Sequence, residues 1–353
     1  MVLSKKQKNI YTFILLLVFA GFVIIADKFF NSSVLRVFNL CGVYIILALS
    51  LNLINGFTGL FSLGHAGFIA IGAYTSAFLT MSPASKQINF FFAPIAAPLA
   101  NINLPFIPAL IVAGLLAGLA GFLIGAPALL RLRGEYLAVV TLSFSEIIRI
   151  VITNLQSVTN GVLGLKGLPN YSTTCTIWGV AFISVVFIIA FMNSTFGRSC
   201  KAVRDNEIAA KAMGINTVRV KIISFTIASF MAGIGGAMLA HLLSAIDPRM
   251  FTFSLTYNVL LIVIIGGSGS ISGSIIAAIV VTISMEALRF LDGPLNLLFI
   301  RTQGLPGLRM VVFSILLLLV IIFRPQGLMG KGNRELSWGM LANLVKKRKP
   351  PSS

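Results

Sequence analysis

Glu146 and Glu286 each stand three residues ahead of an arginine, Arg149 and Arg289, in stretches that are otherwise apolar. Residues three apart share a helix face, so each pair is placed either to neutralise itself or to line and gate a polar passage. The two histidines, His65 in SLGHAGF and His241, are isolated in the sequence. A metal site needs several ligands and a catalytic triad needs partners, so neither is expected here. His65 reads either as a polar group on a passage or as a side chain packed among small residues. Asn52 and Asn55 either bind a solute or satisfy a broken helix end. The cysteines Cys41, Cys175 and Cys200 show no metal-ligand spacing and are not expected to meet. A phosphate-cradling GxxxxGK[ST] loop is missing, since the glycine-rich run 161–167 lacks the final Lys-Ser/Thr. No cofactor is expected on this chain, and it is not expected to hydrolyse nucleotide by that route.

The elements that hold these side chains must be helices in a bilayer. Hydrophobic residues make up 57% of 353 positions and charged residues only 10%, too apolar a composition for a water-soluble domain of this size. A span needs about 20 apolar residues, and the chain offers ten candidate runs: 10–26, 37–55, 57–80, 105–130, 134–154, 176–193, 222–244, 253–267, 271–290 and 308–323. The fold class is therefore all-α and polytopic, with about ten transmembrane helices. The Asn/Gly and Gly/Ser turns between the second and third and the eighth and ninth runs allow re-entrant pairs, and so a range of eight to ten. The run 10–26 is too long for a secretion signal and is followed by no small-x-small cleavage site, so it reads as a retained span.

The net charge is +18, but its distribution argues against nucleic acid, which needs one basic surface. Eighteen of the 27 basic residues fall in four blocks between apolar runs: Lys5–Lys8, Arg131 with Arg133, the stretch from Arg198 to Lys221, and the tail from Arg324. Such blocks mark cytoplasmic loops. They divide the chain into a cytoplasmic N-terminus (1–9), a transmembrane domain (10–323) containing a cytoplasmic loop (196–221), and a basic cytoplasmic tail (324–353). Both ends are expected inside. Gly114, Gly118, Gly121 and Gly125 have the spacing of close helix packing in lipid.

The loop contains RDNEIAAKAMGIN, residues 204–216. Asp205 and Asn206 can cap a helix start, Glu207 and Lys211 form an i,i+4 pair, and Gly214 can end the helix in a left-handed conformation. The product is a two-turn helix presenting Ile208, Ala209, Ala212 and Met213 as an apolar knob, either an ordinary interfacial helix or a plug for a groove on a soluble partner.

Here the sequence resembles a known family. Glu207, Ala209, Ala210 and Gly214 match the EAA-x3-G loop of bacterial permeases in ATP-binding-cassette importers. The segments 55–74, 131–149, 159–169, 197–240, 266–273 and 324–328 resemble, more narrowly, the branched-chain amino acid permeases, the larger of their two types. Two departures stand in 159–169, where Asn160 replaces an expected glycine and no acidic residue follows near 162–163.

The resemblance implies a second homologous permease subunit, two ATPase subunits that hydrolyse ATP, an extracytoplasmic substrate-binding protein and a bacterial inner membrane. It assigns coupling to Arg204, Glu207, Ala209, Ala210, Met213 and Gly214. The expected cargo is leucine, isoleucine or valine, with urea or a short amide as the alternative, taken inward by alternating access. Two rival classes remain. A secondary transporter would need its own coupling-ion site, and the scarcity of unpaired intramembrane acids argues against one. A membrane enzyme would need clustered His, Asp or Cys near one interface, and none is visible in the sequence.

Overall fold

The structure is a computed structural model that describes residues 30–91, 100–132, 134–289, 308–323 and 327–329, with 21, 23, 27, 95, 295–297 and 300–302. The expected first span (10–26), the N-terminus (1–9) and most of the tail (324–353) lie outside the described residues.

Twelve helices carry the argument: α1 Ser32–Asn52, α2 His65–Thr80, α3 Pro83–Asn89, α4 Phe106–Arg131, α5 Glu135–Asn154, α6 Thr174–Asn193, α7 Thr195–Asp205, α8 Glu207–Ala212, α9 Thr217–Leu243, α10 Phe253–Gly266, α11 Ile271–Ala287 and α12 Leu308–Phe323. Among the described residues, six helical stretches are long and apolar enough to cross a membrane: Ser32–Phe57, α4, α5, α6, α9 and Pro248–Gly266. α11 is shorter, at 17 residues, and α2 and α12 have 16 each.

The helices alternate in direction between two ends of the bundle. At the proximal end α1, α4, α6 and α10 finish and α9 and α11 begin; at the distal end α2 and α9 finish together. α9 is the axis, packed against α4, α2 and α1. The glycine stripe of α4 faces it: Gly114 and Gly118 lie on Phe230, Gly121 on Ser229 and Gly125 on Phe225. Small residues let these backbones approach where a larger side chain would hold them apart.

The expected third span departs from a simple helix. α1 ends in a π-helical turn, Leu53–Phe57, and residues 58–64 run non-helically before α2 starts at His65. Backbone groups inside a bilayer need partners, and this segment finds them. Thr58 N donates to Leu53 O, Leu60 N to Ile54 O, Ser62 N to Asn55 Oδ1 and Leu63 N to Thr141 Oγ1. Along it Thr58, Leu60, Ser62 and Gly64 are buried while Gly59 and Phe61 are exposed.

At the distal end two short strands, β1 Leu165–Lys166 and β2 Ala245–Ile246, pair antiparallel. They tie the 156–170 loop to the end of α9. Asn160 takes a left-handed conformation (φ 58°) and donates from Nδ2 to Gly164 O at 2.7 Å, so it serves where a glycine was expected. β3 Leu295–Leu297 and β4 Ile300–Thr302 form a second antiparallel pair.

Candidate functional site

The loop 196–221 is helical almost throughout. Ser194 caps α7, accepting from Gly197 N. α7 turns Cys200 and Val203 inward against Ala210 and Val220, a small apolar core of its own. Cys200 Sγ lies 3.2 Å from Ser224 Oγ, and burial pushes its thiol above the ordinary range.

Asn206 then breaks the helix with an extended backbone, and its Oδ1 accepts from the amides of Ile208 and Ala209, both at 3.0 Å. This is the N-cap of α8. The helix stops at Gly214 (φ 81°), where Gly214 N donates to Lys211 O and Ile215 N to Ala210 O. These two bonds form a Schellman closure, which requires the left-handed residue that glycine supplies. Ile208 and Met213 are 82% and 83% exposed, and Ala209 and Ala212 are exposed beside them, while Ala210 faces inward.

Glu207 fastens this knob to the bundle. Its carboxylate accepts from Lys221 Nζ at 2.8 Å and from Thr217 Oγ1 at 3.3 Å, both on α9, and pairs with Lys211 at 3.3 Å. The Lys221 hydrogen bond is the main cause holding the Glu207 carboxyl down at about 2. The Glu207–Lys211 pair was legible as i,i+4 spacing. Lys221, 14 residues on, had no local signal.

Arg204 turns toward the bundle. Its Nη1 donates to Gly56 O, and its Nε and Nη2 donate to Asp205 Oδ1. Thus Arg204, Glu207, Ala209, Ala210, Met213 and Gly214 gather at the proximal end.

The five residues marked for a passage do not form one cluster. Asn52 is fully buried and bonded within the chain: Nδ2 donates to Ser270 O and Ser274 Oγ, and Oδ1 accepts from Gly269 N. Asn55 exchanges hydrogen bonds with the backbone of Ser62. His65, 1% exposed, opens α2; its Nε2 meets Ser50 Oγ at 2.8 Å, and among the described residues its Nδ1 has no partner. Because the Ser50 hydroxyl donates to Leu47 O, the histidine proton belongs on Nε2 and Nδ1 is left as an acceptor.

Glu146 and Glu286 form ion pairs with Arg149 and Arg289, at 2.7 and 2.8 Å. Glu286 lies about 18 Å along α11 from Ser274, at helical rise. It borders an apolar depression of about 460 Å³ lined also by Phe38, Cys41, Trp178 and Ile279.

Sequence reasoning missed a distal counterpart. His241 is buried; its Nε2 lies 3.0 Å from Ser76 Oγ and 3.2 Å from Thr80 Oγ1, and its Nδ1 donates to Pro169 O at 2.8 Å. The partners are 72 to 165 residues away, so spacing carried no hint of them. Among the described residues, no three His, Cys, Asp or Glu side chains gather as a metal site would.

Comparison with known proteins agrees with this arrangement. The family model described as "Branched-chain amino acid transport system / permease component" matches residues 33–321. The high-affinity branched-chain amino acid transport system permease protein LivM of Escherichia coli K12 is 34% identical over 321 residues, covering 81% of this chain and 68% of that protein. A probable branched-chain amino acid transport permease protein LivM of Methanocaldococcus jannaschii is 26% identical, covering 81% of this chain and 90% of its own. The ribose import permease protein RbsC of Haemophilus influenzae is 26% identical over 56% of this chain and 65% of its own. No solved structure matches significantly. With six long apolar helices among the described residues, this multi-pass membrane protein belongs to the branched-chain amino acid permease family of ATP-binding-cassette transporters.

Proposed function

We propose that the chain is the permease subunit of an importer that carries leucine, isoleucine or valine inward across a bacterial inner membrane by alternating access. The observation that carries the reading is α8, whose apolar side chains Ile208, Ala209, Ala212 and Met213 are exposed while Glu207 anchors the helix to α9. A knob so exposed and so firmly mounted suits a groove on a soluble partner. We assign that groove to one of two ATPase subunits, which bind and hydrolyse ATP; this chain holds no cofactor of its own. A second, homologous permease completes the membrane passage, and an extracytoplasmic binding protein delivers the cargo to the distal end. Lipid surrounds the outer faces.

On this reading the proximal end is cytoplasmic, since Arg131, Arg198, Lys201, Lys211 and Arg219 collect there. Both chain ends then lie inside and the spans number ten. Among the passage candidates, His65 offers its buried Nδ1 acceptor to the path, and Asn55, Glu146 and Glu286 flank it. Asn52 acts through the helix ends it joins. The cargo is uncharged overall, because Glu146 and Glu286 are each neutralised by an arginine three residues on.

The test is uptake by the whole complex in proteoliposomes. Labelled leucine should enter only with ATP and be displaced by excess isoleucine or valine, but not by lysine. Strong urea or ribose uptake with no response to leucine would reassign the cargo. Uptake driven by an ion gradient without ATPases would reject the importer.

A further inference from the structure

Arg204 lies beside two turns and approaches each at a glycine. Its Nη1 donates to the Gly56 carbonyl at 3.3 Å. A methyl group built on Gly269 would stand 2.8 Å from the same Nη1, and one on Gly59 2.8 Å from Arg204 Cγ. The arginine side chain therefore fills the space between the turn that closes α1 and the turn that joins α10 to α11. Asn52 stitches those turns together, accepting from Gly269 N at 2.9 Å and donating to Ser270 O at 3.0 Å and Ser274 Oγ at 2.9 Å. On its other side the guanidinium is held by Asp205 Oδ1, at 3.0 Å from Nε and 2.9 Å from Nη2. Asp205 directly precedes Asn206, the cap of α8.

We propose that Arg204 is a positioning residue for transport, carrying displacement of α8 to the joined ends of α1 and α11. This rests on α8 as the ATPase-docking helix and adds the element inside the membrane that receives its motion. α8 has two fastenings on different elements: Glu207 to Lys221 on α9 and, through Asp205 and Arg204 at the end of α7, the glycine turns. A push on α8 that is not parallel to both must change the spacing between α9 and the α1–α11 pair at the proximal end. The contact falls on a backbone carbonyl, and a guanidinium presents several donors in a fixed fork that can engage a carbonyl and a carboxylate together. The Gly56 contact is long, and the Arg204 side chain is 35% exposed, so water can replace the bond when the turns move away.

The experiment measures ATP hydrolysis and leucine uptake on the same preparation of the full complex. In Arg204→Ala the ATPases should remain bound and hydrolysing while uptake per ATP falls about ten-fold, and Arg204→Lys, which keeps the charge and one donor, should recover part of it. Wild-type uptake per ATP in Arg204→Ala would overturn the proposal. So would equal loss of hydrolysis and uptake in an intact complex, which would make Arg204 a docking contact. Should the alanine variant fail to assemble, the lysine variant decides: a lowered ratio supports the role, and an unchanged ratio rejects it. A wild-type complex without ATP-driven uptake would instead refute the importer reading beneath it.

Discussion

The two ends of the bundle are held together by different chemistry. At the proximal end the links to the α7–α8 loop include charged ones, beside the neutral Asn52 network: Glu207 to Lys221 joins α8 to α9, and Arg204 reaches from α7 to Gly56. At the distal end Lys86 Nζ donates to Ile102 O and Asp27 accepts from Thr174 Oγ1, but the links to the end of α9 and to the 156–170 loop are neutral. His241 bonds to Ser76, Thr80 and Pro169 O, and Asn89 exchanges two hydrogen bonds with the backbone of Lys166. The acid–arginine pairs Glu146–Arg149 and Glu286–Arg289 are local, each between residues three apart. A charged, partly wet link is weakened by salt and by pH and can be remade at modest cost. A buried neutral network is little affected by salt and costly to leave half made. The end that carries the exposed knob is thus the end whose fastenings can be worked.

The comparison breaks most severely at Gly56. A Cβ there would lie 1.8 Å from Asn52 Oδ1 and 2.4 Å from the backbone nitrogen of Gly269. The backbone nitrogen cannot rotate aside, so Gly56→Ala must separate the turns that Asn52 joins. A loss of about 3 kcal/mol or more is expected from such overpacking. Thermal unfolding in detergent should show a clear drop in Tm, and uptake should be abolished. Wild-type Tm in this variant would mean that the junction yields easily, contrary to its role as a linked body.

Glu207→Gln comes next. It removes the charge from both ion pairs and leaves Lys221, whose side chain is only 10% exposed, with a neutral partner. α8 should lose its seat on α9, and uptake should fall at least ten-fold. The same anchor predicts a pH response. The Glu207 carboxyl is depressed to about 2 in the folded chain, so its stabilisation is complete above its unfolded value of 4.5 and is lost as pH falls from there toward 2. A fluorophore on Met213→Cys, with exposed Cys175 replaced, should report loosening of α8 in that window. Glu207→Gln should be loose at every pH. A wild-type probe signal that stays flat down to pH 2 would deny Glu207 the anchoring role.

Much of α8 was legible in advance because its determinants are local. Asn206 caps amides two and three residues on, and Gly214 closes a turn begun at Ala210. The spans were legible for the same reason, as each apolar run forms its own backbone bonds. The start of α2 was not. Residues 57–80 read as one apolar run, and Asn55, Thr141 and Thr256, binding the amides of Ser62, Leu63 and Ala66, explain where the helix can start. The Arg204 junction was hidden more deeply. Gly56 is 148 residues away, and a glycine in a turn signals only that the chain bends there. Asn52 and Asn55 carried two readings, solute ligand or helix-end cap, and in the structure their amides bond to the chain itself.

Gly214→Val sharpens the comparison by leaving every link intact. Nothing lies within 4 Å of a Cβ at this position, so no collision occurs. The cost comes from φ of 81°, which a β-branched residue resists, and amounts to about 1–2 kcal/mol. That strain falls on the end of α8 and tilts Met213, not on any span. Membrane insertion and global Tm should stay near wild type while uptake drops several-fold. Equal uptake in Gly214→Val and wild type would show that the attitude of the knob is unimportant.

The smallest effect on coupling should come from the distal end, at His241→Ala. The imidazole joins α9 to α2 and to the 156–170 loop, with Phe106 edge-on at 5.0 Å between ring centres. Removing it leaves the Pro169 carbonyl without its imidazole donor and opens a gap beside Phe106. The Thr80 hydroxyl keeps a bond to Ser76 O, so it is not orphaned. The loss should be about 1–3 kcal/mol, enough to lower Tm by several degrees. None of the residues between α8 and the glycine turns is touched, so uptake per ATP should remain within about two-fold of wild type even as total uptake declines. His241→Gln, with one donor and one acceptor on a shorter side chain, should regain part of the lost Tm and leave the ratio unchanged. If instead uptake per ATP collapsed in His241→Ala as far as in Arg204→Ala, the neutral network would be part of the moving machinery. The division between a worked end and a fixed end would then be wrong.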